Sequence, residues 1–234
     1  MPSSATIPRV VALVPAAGQG VRLAAGMPKA FVSLHGRPLL WHCVQGLLAS
    51  GCVEVVVVAA GEQHQSQARA ALAAASDQVR IVTGGEHRGD SVRAALHSVP
   101  DADVVLVHDA ARCLAPVSVI QAVAHAVLAG HQAVVPVLPV VDTIKQVDHE
   151  GYVVGTVDRA ALRVVQTPQG FAGDLLRRAH QQLCGPVTDD AGLVEALGVP
   201  VTTVPGHPHA FKITTPFDLL IAELVVGATG ASPG

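Results

Sequence analysis

The stretch PAAGQGVRLAAGMPKAF brings Gly18, Gly20 and Gly26 together with Arg22 and Lys29. Glycines let backbone N–H groups approach a phosphate closely, and the cations can neutralise charge on a triphosphate. A second stretch, HDAARCLAP, offers Asp109 and Arg112. Asp109 could hold a substrate hydroxyl or a metal ion, or simply cap the following turn, while Arg112 could orient a phosphate. TGGEHRGDSV adds a glycine pair with Arg88 and Ser91; ligand contact and a plain loop-to-helix transition capped by Asp90 or Ser91 are both open there. Thr167 in QTPQG, Thr188 and Asp189 in TDDAG, and Lys212 in FKITTP each sit beside an expected strand or helix, with capping the simplest use of Thr188 or Asp189. His207 and His209 flank Pro208 without zinc-like spacing and read as surface histidines.

These residues need elements to position them. Short Val-rich runs at Val10 to Val14, Val53 to Ala59, Val79 to Val82, Val104 to His108 and Ala133 to Val137 read as strands. Helix-length segments at Pro38 to Ala49, Glu62 to Ala75, Arg88 to Val99 and Pro116 to Ala129 lie between them. That alternation predicts right-handed crossovers and an α/β, doubly wound, mostly parallel sheet with ligands at the carboxyl ends of the strands. The stretches with Gly18 and with Asp109 each follow a strand directly, so they should face one crevice. After Val137 the alternation breaks, and DTIKQVDHEGYVVGTVDR reads as a hairpin arm at about 140–160, with too few apolar residues to bury a face of its own. Beyond it come Arg163 to Gln166, helices near Asp174 to Leu183 and Asp189 to Leu197, a strand at Val199 to Val204 and a helix from Pro216. One domain over 1–234 is expected, with loose tails at 1–8 and 227–234.

Composition narrows the function. Half of the 234 residues are hydrophobic but only 3% are aromatic, which suits parallel strands packed by Val, Leu and Ala. A formal net charge of −3 provides no global field for nucleic acid or an anionic membrane. Cys43, Cys52, Cys113 and Cys184 are far apart and read as thiols in a reducing compartment. With no apolar run long enough to span a bilayer and no leader-like opening, the expected location is cytoplasmic.

Familiar nucleotide motifs fail here. The dinucleotide fingerprint wants a glycine where Leu23 stands and an acid where Ala59 and Ala60 stand, which disfavours a dehydrogenase. Lys29 follows Pro28 and precedes Ala30, so the P-loop of ordinary kinases and GTPases is absent too.

Taken in order, PAAGQGVRLAAGMPKAF, GGEHRGDSV, HDAAR, DTIK, VDR, QTPQ, TDDA and FKIT resemble the 2-C-methyl-D-erythritol 4-phosphate cytidylyltransferase family from about Val10 to Leu224. The resemblance implies a Rossmann-like nucleotidyltransferase core, a β-hairpin arm that makes a homodimer, and a reaction joining CTP to methylerythritol phosphate with Mg2+, held mainly by the CTP phosphates. It implies catalytic roles for Arg22, Lys29 and Lys212. Pro15, Ala16, Ala17, Gly18, Gly20, Gly85, Ser91, Asp109 and Ala110 are expected at the nucleotide. Asp109, Arg112, Thr143, Arg159, Thr167 and Thr188 are expected at the polyol phosphate, with Arg159 supplied by the partner subunit. No protein ligand to the metal is assigned. Ala30, Cys113 and Gly192 depart from the family pattern, where Gln, Pro and Ser are common. A cytidylyltransferase for ribitol 5-phosphate shares most of these loops, and a silent nucleotide-binding module or a sugar-1-phosphate nucleotidyltransferase are more distant readings.

Overall fold

The computed structural model describes residues 8–18, 27–182 and 189–230. The chain runs through β1 (Val10–Pro15), β2 (Ser33–Leu34), β3 (Arg37–Pro38), α1 (Leu39–Ala49), β4 (Val55–Ala60), α2 (Gln65–Ala71), β5 (Val79–Thr83), α3 (Arg88–His97) and β6 (Val104–Val107). It continues through α4 (Val117–Leu128), β7 (Ala133–Pro139), β8 (Ile144–Val147), β9 (Val153–Val157), β10 (Arg163–Val165), β11 (Gln169–Ala172), α5 (Gly173–Gln182), α6 (Asp190–Ala196), β12 (Thr202–Pro205) and α7 (Pro216–Gly230).

The main sheet has the order β10-β7-β11-β6-β1-β4-β5, with β12 also on β7. β1 is parallel to both β4 and β6, and β12 is parallel to β7, whereas β10 and β11 run antiparallel to their neighbours. From β1 the chain winds outward through β4 and β5, then returns to lay β6 on the other side of β1. That reversal opens a crevice at the carboxyl ends of β1 and β6.

Both faces of the central strands β1, β4 and β6 are covered, so these strands carry no polar stripe. Val10, Ala12 and Val14 pack into a core with Leu40, Val44 and Leu47 of α1 and Ile120 and Val123 of α4. Val11 and Leu13 point the other way, to Val92 and Leu96 of α3 and Leu176 of α5. Each such Val or Leu contributes roughly 1.5–3 kcal/mol on burial, so the strands that carry the loops form a stiff platform.

Several expectations need correction. QGFA, for which the sequence predicts no strand, is β11, wedged antiparallel between β6 and β7. Gly170 permits this, because a Cβ there would lie 2.6 Å from Val123 Cγ1. The helix expected from Glu62 to Ala75 is broken into a 3-10 turn at Glu62–His64, α2, and a further 3-10 stretch at Ala73–Gln78. The strand expected from Val199 begins at Thr202, and α7 continues to Gly230, into the stretch read as a tail. The arm is a separate two-stranded sheet of β8 and β9. It carries more apolar surface than its sequence suggested: Ile144, Val147, Tyr152, Val153 and Val154 are all exposed. Among the described residues, no helix is long and apolar enough to cross a membrane.

Candidate active site

Three loops converge on the crevice. β1 exits into Ala16, whose amide donates to Ala59 O at 2.8 Å, holding the loop against the end of β4. β5 exits into Gly84, whose amide donates to Ala60 O at 2.8 Å. Here the glycine pair is required by crowding: a Cβ on Gly84 would lie 2.8 Å from Ala17 Cβ, and one on Gly85 would lie 2.3 Å from Asp90 Cβ. β6 exits into His108, whose amide donates to Leu13 O at 2.9 Å and so aligns the Asp109 loop with β1.

Asp109 occupies the first position before the 3-10 turn Ala110–Arg112, yet its side chain makes no capping bond. It accepts instead from Arg88 Nε at 3.0 Å on one oxygen and from Lys212 Nζ at 2.7 Å on the other. Burial pushes its carboxyl upward, but the charges of Arg88 and Lys212 outweigh burial and hold it well below the usual carboxylate range. Asp109 is therefore an anion fixed between cations. Arg88 reaches further, donating from Nη1 to Asp190 Oδ2 at 2.7 Å, and Asp190 Oδ1 lies 2.9 Å from His180 Nε2.

Beneath the loop lies a second layer. Thr167 is buried; its hydroxyl accepts from the Asp109 amide at 3.1 Å and lies 2.8 Å from His108 Nδ1. Burial lowers the His108 pKa to about 4, against the opposing pull of Asp109, so the imidazole is neutral near pH 7. Arg112 donates from Nη1 to Ala210 O at 2.8 Å and from Nη2 to Val165 O at 3.3 Å. Ile213 N donates to Ala111 O at 2.8 Å, which places the neighbouring Lys212 over Asp109. Gln166 clamps the same segment, accepting from His207 N at 3.0 Å and donating to His207 O at 2.9 Å.

One cleft collects most of the nucleotide set: Pro15, Ala16, Ala17 and Gly18 after β1, Ser91 from α3, and Asp109 with Ala110 after β6. Lys29 and Lys212 line the same cleft, as does Arg88. Gly85 stands behind its wall, accepting from the Ser91 hydroxyl at 3.3 Å through its carbonyl. Thr167 and Arg112 support the Asp109 loop and do not line the cleft. Thr143 and Arg159 lie at the exposed base of the arm, where Arg159 donates to the Val141 carbonyl. Gly20, Arg22 and Thr188 lie outside the described residues, as does Cys184.

Asp189 does cap α6, accepting from Gly192 N at 3.1 Å. Asp90 and Ser91 are not caps: His87 holds that position, and Asp90 reaches back to accept from the His87 amide at 3.3 Å. His207 and His209 are half-buried and meet edge to face with ring centroids 4.7 Å apart, rather than standing free on the surface.

A sequence model of the family described as 2-C-methyl-D-erythritol 4-phosphate cytidylyltransferase matches residues 10–228. The chain belongs to this family. A relative of that name from Saccharopolyspora erythraea is 59% identical over 221 residues, covering 93% of this chain and 99% of the relative. One from Nocardia farcinica is 55% identical over 222 residues, covering 95% and 96%. Among solved structures, the 2-C-methyl-D-erythritol 4-phosphate cytidylyltransferase of Thermus thermophilus aligns with a TM-score of 0.75 at 37% identity, covering 94% of this chain and 99% of that one. The enzyme of the same name from Francisella tularensis aligns with a TM-score of 0.78 at 27% identity, covering 92% and 99%.

The segment after β1 and the Lys212 segment, which share no sequence neighbourhood, line this one cleft. In the sequence Arg88 stands on the rim, with ligand contact and a plain loop-to-helix transition both open, and Asp190 and His180 are not singled out. The one available signal was an acid directly after a capping acid in TDDAG: a helix start needs one cap, so the second carboxylate calls for another partner.

Proposed function

We infer that this protein transfers a cytidylyl group from CTP to 2-C-methyl-D-erythritol 4-phosphate, releasing pyrophosphate. The observation that carries the reading is the fixed carboxylate of Asp109 between Arg88 and Lys212, at the crevice where the glycine loop of β1 and Lys29 also converge. Family membership names the reaction; the cleft supplies the means for it.

The nucleophile is a phosphate monoester oxygen, largely ionised near neutral pH because its second pKa is about 6. No base is required. The neutral, buried His108 is already held against Thr167, which fits that chemistry. What remains is to hold two anions in line and spread the charge that grows on the pentacoordinate phosphorus and on pyrophosphate. Lys29 and Arg22 are assigned to the triphosphate, and Lys212 to the α-phosphate and the incoming phosphate. Asp109, Arg112, Thr143, Thr167 and Thr188 are assigned to the polyol phosphate, with Thr167 acting through the Asp109 loop.

A magnesium ion brought by CTP fits this cleft. Its polar lining is mainly cationic, which suits a triphosphate, and among the described residues no cluster of three or more His, Cys, Asp or Glu could cage a metal. Phosphate oxygens would hold the ion, since both oxygens of Asp109 are engaged by Arg88 and Lys212. When bound, the ion would neutralise charge on the transferring and leaving phosphates.

The exposed arm supports a homodimer. The arm exposes Val147, Tyr152, Val153 and Val154 on a two-stranded sheet that is marginal alone. A two-fold axis would let two arms cover each other and carry Arg159 of each to the other's cleft. The reaction is assigned to the cytoplasm. Competition between methylerythritol phosphate and ribitol 5-phosphate for a limiting amount of CTP tests the substrate: product from the first supports this function, and product from the second alone refutes it.

A further inference from the structure

We propose that Asp190 is a positioning residue for the polyol phosphate: through Arg88 it fixes the Asp109 carboxylate, so that Asp109 keeps its place when Lys212 swings to a phosphate. This deepens the cytidylyltransferase reading and rests on it.

The geometry is a continuous chain. Lys212 Nζ meets Asp109 Oδ2 at 2.7 Å, and Arg88 Nε meets Asp109 Oδ1 at 3.0 Å. Arg88 Nη1 meets Asp190 Oδ2 at 2.7 Å, and His180 Nε2 meets Asp190 Oδ1 at 2.9 Å. The chain starts at the exposed Lys212 and ends at Asp190 and His180, which are 1% and 4% exposed. A buried carboxylate is costly unless both oxygens are engaged, and both oxygens of Asp190 are.

The start of α6 is itself immobilised. Gln169 of β11 donates to Asp189 Oδ2 at 2.7 Å and accepts from Ala191 N at 3.1 Å, clamping the residues on either side of Asp190. Asp190 is thus a fixed point tied to the central sheet. Arg88 suits the link because its planar fork presents donors in two directions; a lysine ammonium, a point charge, could not hold both carboxylates in the same geometry.

The consequence is a division of labour at Asp109. Lys212 has a second assignment, on the phosphates, and can leave. Arg88 has none, and its second donor is committed to Asp190. With Lys212 turned away, Asp109 Oδ1 stays anchored by Arg88 and Oδ2 is left to accept a substrate hydroxyl. Without the charge of Asp190, Arg88 is free to follow Asp109 or to fold onto a phosphate, and the carboxylate loses its orientation. Polyol affinity suffers first. CTP, held by the β1 loop and Lys29, is touched least.

The test is steady-state kinetics on Asp190→Asn and Arg88→Lys, varying each substrate with the other saturating, after melting curves establish that each variant is folded. Asp190→Asn keeps the shape and removes the charge; Arg88→Lys keeps the charge and removes the fork, so the pair remains informative if one variant fails to fold. The expected result for both is a rise of about tenfold in KM for methylerythritol phosphate, KM for CTP within about twofold of wild type, and a fall in kcat of less than about threefold. Unchanged KM for the polyol phosphate overturns the proposal. So does an equal rise in both KM values, which is what general loosening of the fold would produce. Failure of the reaction itself is seen separately, as absence of turnover by the wild-type enzyme.

Discussion

Lys212 Nζ lies 2.7 Å from Asp109 Oδ2, joining residues 103 positions apart in sequence across the mouth of the crevice. The pairing is set by the backbone, since Ile213 N donates to Ala111 O beside it. The cation and the anion hold each other, and under the proposed function a substrate phosphate competes for the lysine.

Charge at the triphosphate should be worth most in the transition state. Lys29→Ala and Arg22→Ala are expected to fold normally and to lose about a hundredfold or more in kcat. Near-normal turnover by either variant would remove that residue from the catalytic set.

The buried His108 makes acid stability legible. Its folded pKa of about 4 lies below the ordinary value of 6.5, so the unfolded chain binds its proton first as pH falls. Its contribution is complete above pH 6.5 and is lost progressively from there down to pH 4, by roughly 3 kcal/mol. Denaturant melts of His108→Gln across that window should show a flatter pH dependence than wild type. Equal slopes would place the titration elsewhere.

Asp109 acts at lower pH. Its folded pKa is depressed, so its stabilising contribution is present above the ordinary carboxylate range and is lost as pH falls through the folded value. Asp109→Asn should cost about 2 kcal/mol or more at pH 6–8, because Arg88 and Lys212 lose a shared partner, with the deficit narrowing below about pH 4. A deficit that is constant from pH 8 down to pH 3 would mean that charge pairing at Asp109 does not stabilise the fold.

Much of this architecture could be read from the sequence, and what could not has physical reasons. β1, β4 and β6 announce themselves because both faces are buried and their residues are almost all Val, Leu or Ala. β11 does not: Gln169 and Gly170 are poor strand formers, and the strand exists because Gly170 lets it pass beneath Val123. α2 stops early because local Ala-rich propensity yields to the packing of Leu72, a core residue placed at the break. In the site, glycine loops and their cations are local patterns and were visible. The link from Arg88 to Asp190 spans 102 residues and depends on the first residues of α3 and α6 coming together in the fold, which no spacing encodes.

Base selectivity is assigned to backbone groups of the loops that carry Ala16 and Gly85. Cytosine offers an amino donor where uracil offers a carbonyl acceptor, and fixed backbone groups discriminate between them because an unpaired buried group is costly. CTP should exceed UTP by a large factor in kcat/KM. Comparable values would remove the cytidine assignment and leave nucleotidyl transfer standing.

The arm gives a test of assembly. Lys29→Ala and Arg159→Ala chains, each inactive, are unfolded and refolded together. If Arg159 completes the partner's site, every mixed dimer holds one intact site, and random pairing restores about a quarter of wild-type activity. No recovery would place Arg159 in its own chain's site.

The most direct measurement is pyrophosphate release by the wild-type enzyme with magnesium, across CTP, UTP and ATP, each paired with methylerythritol phosphate and with ribitol 5-phosphate. CTP with methylerythritol phosphate should give the highest kcat/KM of all pairings. Release that is greatest with another pairing, or absent from all of them, would contradict the function assigned to this cleft.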